Sequence, residues 1–262
     1  MDHMPENWGR PRNDVYGEYQ SAIHNAGQGP QSRTQTPSIT GTSVIAMKFD
    51  NGVMLAADNL GSYGSLARFT DQERLIKVGN ETVVGISGDA SDQQYIELLL
   101  ERLLIEDNYP QDGHHLRAPH IYEYLSRVMY NRRSKIDPLW NAILVAGKND
   151  DGSPFLGYVD LLGVTYSSPS IATGYGAYLA IPLMRKIVSE EADAKNVSEE
   201  QARKVIDECM KVLFYRDARS LDKYTVATVT LDGEVKMDKN VRCQNMNWRF
   251  AEGIRGYGTQ KQ

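Results

Sequence analysis

An α+β fold of stacked layers is predicted by this sequence of 262 residues, and three observations carry the prediction. Short runs of β texture come in groups. Segments with helical spacing come in pairs between those groups. The order along the chain is therefore strands, two helices, strands, two helices, strands, which argues for segregated layers rather than a sheet of alternating strand and helix.

Taken in order, residues 1–41 stand apart. "SAIHNAGQGPQSRTQTPSITG" is rich in Gly, Gln, Ser, Thr and Pro and poor in aliphatic residues, as an extended leader would be. From Thr42, "TSVIAMKFD" and "GVMLAADN" read as two strands joined at Asp50-Asn51-Gly52, where Asn-Gly predicts a type I′ hairpin turn. "ETVVGISGD" (81–89) reads as a further buried strand. Helical spacing follows in "SDQQYIELLLERLLIEDN" (91–108), with Ser91 as the N-cap, and in "APHIYEYLSRVMYNRRSK" (118–135), where Pro119 suits a first turn.

The second half repeats the pattern. "WNAILVAGKNDDGSPFLGYVDLLGVTYSS" (140–168) reads as a hairpin about its "NDDG" turn. "ATGYGAYLAIPLMRKIVSEEA" (172–192) opens on glycines and becomes helical, with an interruption at Pro182. "NVSEEQARKVIDECMKVLFYRDARS" (196–220) carries the capping box Ser198-x-x-Gln201 ahead of a long amphipathic helix. "YTVATVTLDGEVKM" (224–237) reads as a hairpin about Asp232-Gly233, and Asp238–Gln262 has no clear period.

Composition narrows the function. With 29 basic against 34 acidic residues the net charge is −5, which gives no footprint for nucleic acid or an anionic membrane. No stretch reaches the roughly 18 apolar residues of a membrane helix. The N-terminus lacks the apolar run of a signal peptide, so an intracellular protein is expected. Two cysteines, Cys209 and Cys243, suit a reducing compartment, with Cys209 read as a core thiol and a disulfide between them left open. His114 and His115 are adjacent in a loop and have no partner at ligand spacing, so no metal is expected. "GYGAYLA" (174–180) lacks a third glycine and a following Lys, so it reads as a tight start to a helix and no cofactor is expected.

Thr42 is the remaining candidate for chemistry. A threonine hydroxyl needs a base beside it. One such base is the threonine's own α-amine, which exists only if the chain is cut just before it. A leader ending at Gly41 fits that idea, while β propensity alone would also place a Thr there.

The chain as a whole resembles a proteasome beta subunit. "GTSVIAMKFDNGVMLAADNLGSYGSLARF", "VVGISGD", "RRSKIDPLWNAILVAG", "FLGYVDLLGVTYSSPSIATGYGAYLA" and "LFYRDARS" carry the resemblance. Several of them are similar to the type at the seventh beta position of the eukaryotic 20S core, the fungal beta type-7 and mammalian beta type-4 family. The resemblance implies the N-terminal nucleophile hydrolase fold, a four-layer αββα sandwich, over residues 42–238. Residues 1–41 would be leader and N-terminal extension, and 239–262 a C-terminal tail. It also implies a place among other alpha and beta subunits in a twenty-eight-subunit hetero-oligomer, with assembly chaperones as further partners, in cytoplasm and nucleus.

What the resemblance implies for the site depends on matching positions. Thr42 occupies the nucleophile position, Asp58 lies 16 residues on, and Asp217 and Ser220 in "YRDARS" match a late Asp-x-x-Ser. Arg74, 32 residues after Thr42, stands where active members carry a Lys, and Tyr175 stands where they carry a Ser. Arg does not lose a proton near neutrality. In the resembled type the leader is trimmed at the Thr of an Arg-Thr-Gln segment, here Arg33 and Thr34, which would leave residues 34–41 ahead of Thr42 and no free amine. The expectation is a non-catalytic structural subunit; the alternative is an active threonine protease using Thr42. The tail would clasp neighbours through Trp248, Phe250 and Tyr257, and truncation after Asn240 is expected to impair joining of half-particles without unfolding the subunit.

Overall fold

The computed structural model describes residues 36–232 and 234–254. Arg33, Thr34 and Tyr257 lie outside the described residues. In chain order the strands are β1 (Ile39–Gly41), β2 (Val44–Phe49), β3 (Gly52–Asp58), β4 (Gly61–Tyr63), β5 (Leu66–Phe69), β6 (Leu75–Val78), β7 (Thr82–Asp89), β8 (Asn141–Lys148), β9 (Pro154–Val159), β10 (Thr165–Ser167), β11 (Ser170–Ala172), β12 (Lys223–Thr230) and β13 (Lys236–Arg242). The helices are α1 (Ala90–Asn108), α2 (Ala118–Ser134), α3 (Gly176–Leu179), α4 (Ile181–Arg185) and α5 (Glu199–Arg216).

Two antiparallel sheets result. One runs β10-β9-β8-β7-β1-β4-β5, with β6 also paired to β7; the other runs β11-β2-β3-β12-β13. Strand β2 is buried on both faces, which is why it reads as a continuous apolar run rather than an alternating one. Its two faces meet different partners. Val44 and Ala46 join Leu55, Leu144 and Leu156 between the sheets. Ile45, Met47 and Phe49 join Ile206, Cys209 and Leu213 of α5. On the far side of the first sheet, Ile86 and Val145 pack with Ile96 and Leu100 of α1 and Ile121 and Leu125 of α2. Helices, sheet, sheet and helices thus form four layers around three apolar seams, the αββα sandwich. Full burial of each such aliphatic side chain contributes about 1.5–3 kcal/mol.

The local signals hold where they are strongest. Ser198 and Gln201 form both bonds of the expected capping box at the start of α5. Both cysteines are free thiols. Burial pushes the Cys209 thiol up to about 12, with Sγ donating to the Ala180 carbonyl at 3.8 Å. Alkylation of Cys209 at pH 8 is expected to be at least roughly 100-fold slower in the folded chain than in urea, read by mass spectrometry.

Several expectations change. Asp89, not Ser91, is the N-cap of α1: its Oδ2 accepts from the Asp92 amide at 3.0 Å, and Ser91 donates its hydroxyl to that same carboxylate. The β2–β3 connection is not a type I′ turn. Phe49 pairs with Gly52, so the loop is Asp50-Asn51, and neither residue has positive φ. Gly52 instead lies in the sheet at φ 155°, where a Cβ would sit 2.0 Å from the Val229 carbonyl oxygen. The expected interruption at Pro182 is present: the helical stretch after residue 172 is two short helices, because Pro182 in the first turn of α4 lacks the N–H that would continue α3. The last residues of the expected leader and N-terminal extension form β1, and β13 runs to Arg242, so the first part of the expected tail lies in a sheet.

Candidate functional site

Thr42 and Ser43 bridge β1, in one sheet, to β2 in the other. The turn at 173–176 fastens this junction. The Ser43 hydroxyl accepts the Gly176 amide at 2.8 Å. Thr173 Oγ1 accepts the Val44 amide at 2.8 Å, and the Thr173 amide returns a bond to the Val44 carbonyl at 2.8 Å. The Thr42 hydroxyl donates to Asp217 Oδ2 at 2.5 Å. Asp217 caps the C-terminus of α5, and its Oδ1 accepts the Arg219 amide at 2.9 Å, so the carboxylate is held from both sides.

Arg74 immediately precedes β6 and is 1% exposed. Its Nε donates to the Asp58 carbonyl at 3.0 Å. Nη1 donates to the Thr42 carbonyl at 2.7 Å and to the Ile86 carbonyl at 3.4 Å. Nη2 donates to the Ser43 carbonyl at 2.9 Å and to the Asp58 carboxylate. A guanidinium has five N–H donors, and each of these finds an acceptor. Asp58, at the end of β3, accepts the Leu221 amide on its other oxygen at 3.0 Å. Burial pushes the Asp58 carboxyl up to about 6, and the Arg74 guanidinium holds it from rising further. The guanidinium beside it favours the charged form of the carboxyl.

Strand β1 completes the site from the N-terminal side. Thr40 and Gly41 pair with Asp89 and Gly88 of β7, while Ile39 and Thr40 pair with Tyr63 and Ser62 of β4. The Ser38 amide donates to Asp89 Oδ1 at 3.1 Å, so one carboxylate caps α1 and grips the chain ahead of Thr42. Thr42 therefore directly follows a segment that is paired on both edges. Thr42 opens on a cleft of about 390 Å³ lined also by Gly88, Trp140, Tyr175, Asp217 and Arg219. Ile39 borders a second cavity of about 870 Å³ with Phe69, Gln72, Gln93 and Lys239.

Of the residues singled out in the sequence, Thr42, Asp58, Arg74 and Asp217 come together in one hydrogen-bonded cluster. Tyr175 lines the cleft and is 60% exposed, with no hydrogen bond to Thr42. The Ser220 hydroxyl donates to the Leu213 and Asp217 carbonyls at 3.2 and 2.7 Å, closing the end of α5 rather than bonding Thr42. Trp248 and Phe250 fold back on α5. Trp248 packs edge-on against Tyr215 at 5.2 Å, Phe250 packs against it at 5.3 Å, and Arg216 stacks over Phe250 at 4.7 Å. Sequence reasoning missed Asp89, Thr173 and the role of Gly41. Asp89 was findable, since an Asp three residues before Asp92 and ahead of an apolar run is an N-cap signature.

Comparison with known proteins places the chain. The family described as "Proteasome subunit" matches residues 39–229. The chain is similar to "Proteasome subunit beta type-7" of Saccharomyces cerevisiae, 54% identical over 100% of both chains. It is similar to "Probable proteasome subunit beta type-7" of Schizosaccharomyces pombe, 50% identical over 98% of this chain and 97% of that one. It is also similar to "Proteasome subunit beta type-4" of Xenopus laevis, 48% identical over 88% of this chain and 93% of that one.

Proposed function

Because this chain belongs to the proteasome subunit family, we propose that it is a non-catalytic structural beta subunit of the 20S core, filling the ring position of its beta type-7 and beta type-4 relatives. It works by assembling with other alpha and beta subunits, in cytoplasm and nucleus, within a particle whose proteolysis is done by other chains. Its leader is trimmed between Arg33 and Thr34, upstream of the site, and the tail beyond β13 reaches to neighbours.

The observation that carries this reading is the paired segment ahead of Thr42. With β1 held between β4 and β7, the segment ahead of Thr42 is part of a sheet, which supports a chain that keeps it; Thr42 then has an amide where the family's chemistry needs an amine. General-base help is worth roughly 10²–10⁴ in rate, and an amide cannot supply it. Arg74 deepens the loss: its donors are committed to backbone carbonyls and to Asp58, and it does not release a proton. Asp58 and Asp217 are then carboxylates that hold the local fold.

A threonine-directed covalent inhibitor tests this in the intact particle, where active siblings serve as internal controls. The expected result is adducts on other subunits and none on this one, whose intact mass shows an N-terminus upstream of Thr42. An adduct on Thr42 would overturn the reading. One observation favours that protease alternative: the Thr42 hydroxyl already donates to a carboxylate at 2.5 Å.

A further inference from the structure

We propose that Arg74 and Gly41 form a matched lock that makes the uncut Gly41–Thr42 junction the stable form of this chain. Retention of the preceding strand is then a property of the fold, not only of where a protease happens to cut. The inference extends the non-catalytic reading above by saying what keeps the amine from appearing.

The first half of the lock is steric. A Cβ on residue 41 would sit 2.4 Å from Arg74 Cδ, 3.0 Å from Nε and 3.2 Å from Nη1. The guanidinium arm therefore lies directly against the Gly41 backbone, in space that only glycine leaves open. The arm cannot step aside cheaply, because every N–H of its fork is used and its charge is paired with buried Asp58.

The second half is a clamp on the far side of the junction. Arg74 Nη1 donates to the Thr42 carbonyl at 2.7 Å and Nη2 to the Ser43 carbonyl at 2.9 Å, so the fork that lies against Gly41 also holds the two residues that follow the 41–42 bond. A lysine at 74 offers three donors on a rotatable point charge and fills less of the space against Gly41. The same position thus separates a chain that keeps its preceding strand from one that can release it.

Hydrogen exchange on the purified particle reads the lock without any variant: amides of Thr40 and Gly41 are expected to be protected to the level of β7. Exchange as fast as in an exposed loop would overturn the proposal. Arg74→Lys is expected to speed exchange across residues 38–43 on the order of 100-fold, as loss of several charge-assisted bonds implies, and to make the 41–42 bond newly sensitive to added protease. Gly41→Ala keeps every charge and pushes the same arm from the other side; it is expected to loosen the same residues. If both variants assemble with wild-type protection, the lock does not exist, although the subunit would still be non-catalytic. If the wild-type chain is found to begin at Thr42, the non-catalytic reading itself fails. If neither variant assembles, the wild-type exchange decides.

Discussion

Arg74→Ala is expected to cost the folded subunit about 3–5 kcal/mol, because it leaves the buried Asp58 carboxyl without its partner, so that the group must take up a proton or stay charged in a buried setting. Several of the lost bonds are not to Asp58's carboxylate at all. The carbonyls of Thr42, Ser43 and Asp58 also accept from the guanidinium, and each orphaned buried acceptor costs about 1–3 kcal/mol. Co-expression of tagged variant and wild-type chains, competing for one ring position, measures the effect: the variant share of purified particles is expected to fall below roughly a tenth. The double variant Asp58→Asn, Arg74→Met removes both charges and separates the two contributions. It is expected to remain impaired, because the backbone acceptors stay unpaired. Full recovery would mean that Arg74 serves Asp58 alone.

Two truncations near the C-terminus are expected to behave differently. Ending the chain after Asn240 removes Val241 and Arg242, which pair with Tyr224 and Lys223 of β12, and the Cys243 amide that donates to the Asp222 carbonyl at 2.9 Å. That cut opens the edge of a sheet beside the α5 seam, so the subunit itself is expected to be lost from particles. Ending after Gln244 leaves the strand intact and removes Trp248 and Phe250 from their seat on Tyr215. This chain is expected to fold and enter half-particles, and to slow their pairing. Native gels resolve the two states; normal full-particle yield from the longer truncation would show that the tail does not join rings. The extent of β13 is the reason to expect more from the cut after Asn240 than impaired joining of half-particles.

Signals confined to a few neighbouring residues were legible. The α5 capping box and the two long helices rest on contacts within one turn and are present, the helices with their ends shifted by a residue or so, and β12 and β13 pair as the expected last hairpin. The Asn51-Gly52 turn misled because Gly52 answers to β12, not to its own loop: the Val229 carbonyl occupies the place of a Cβ. The I′ signature and the close approach ask for the same residue. Strand β1 had no signature at all. Three residues cannot show a period, and its partners lie at 62–63 and 88–89.

The site divides along the same line. Resemblance to a family marked Asp58, Arg74, Asp217 and Ser220 by their spacing from Thr42, because a family pattern is a one-dimensional object. Which of them meet is a three-dimensional matter. Thr42 and Asp217 are separated by 175 residues and join through one hydrogen bond, whereas Ser220, three residues further, turns its hydroxyl back to the end of α5. Patterning by itself specified the layers, since side-chain periodicity is local, and the resemblance marked Arg74 as standing where active members carry a lysine. Packing settled what stands in that lysine's place: a five-donor fork that fits only because Gly41 has no side chain and two strands hold the segment ahead of Thr42.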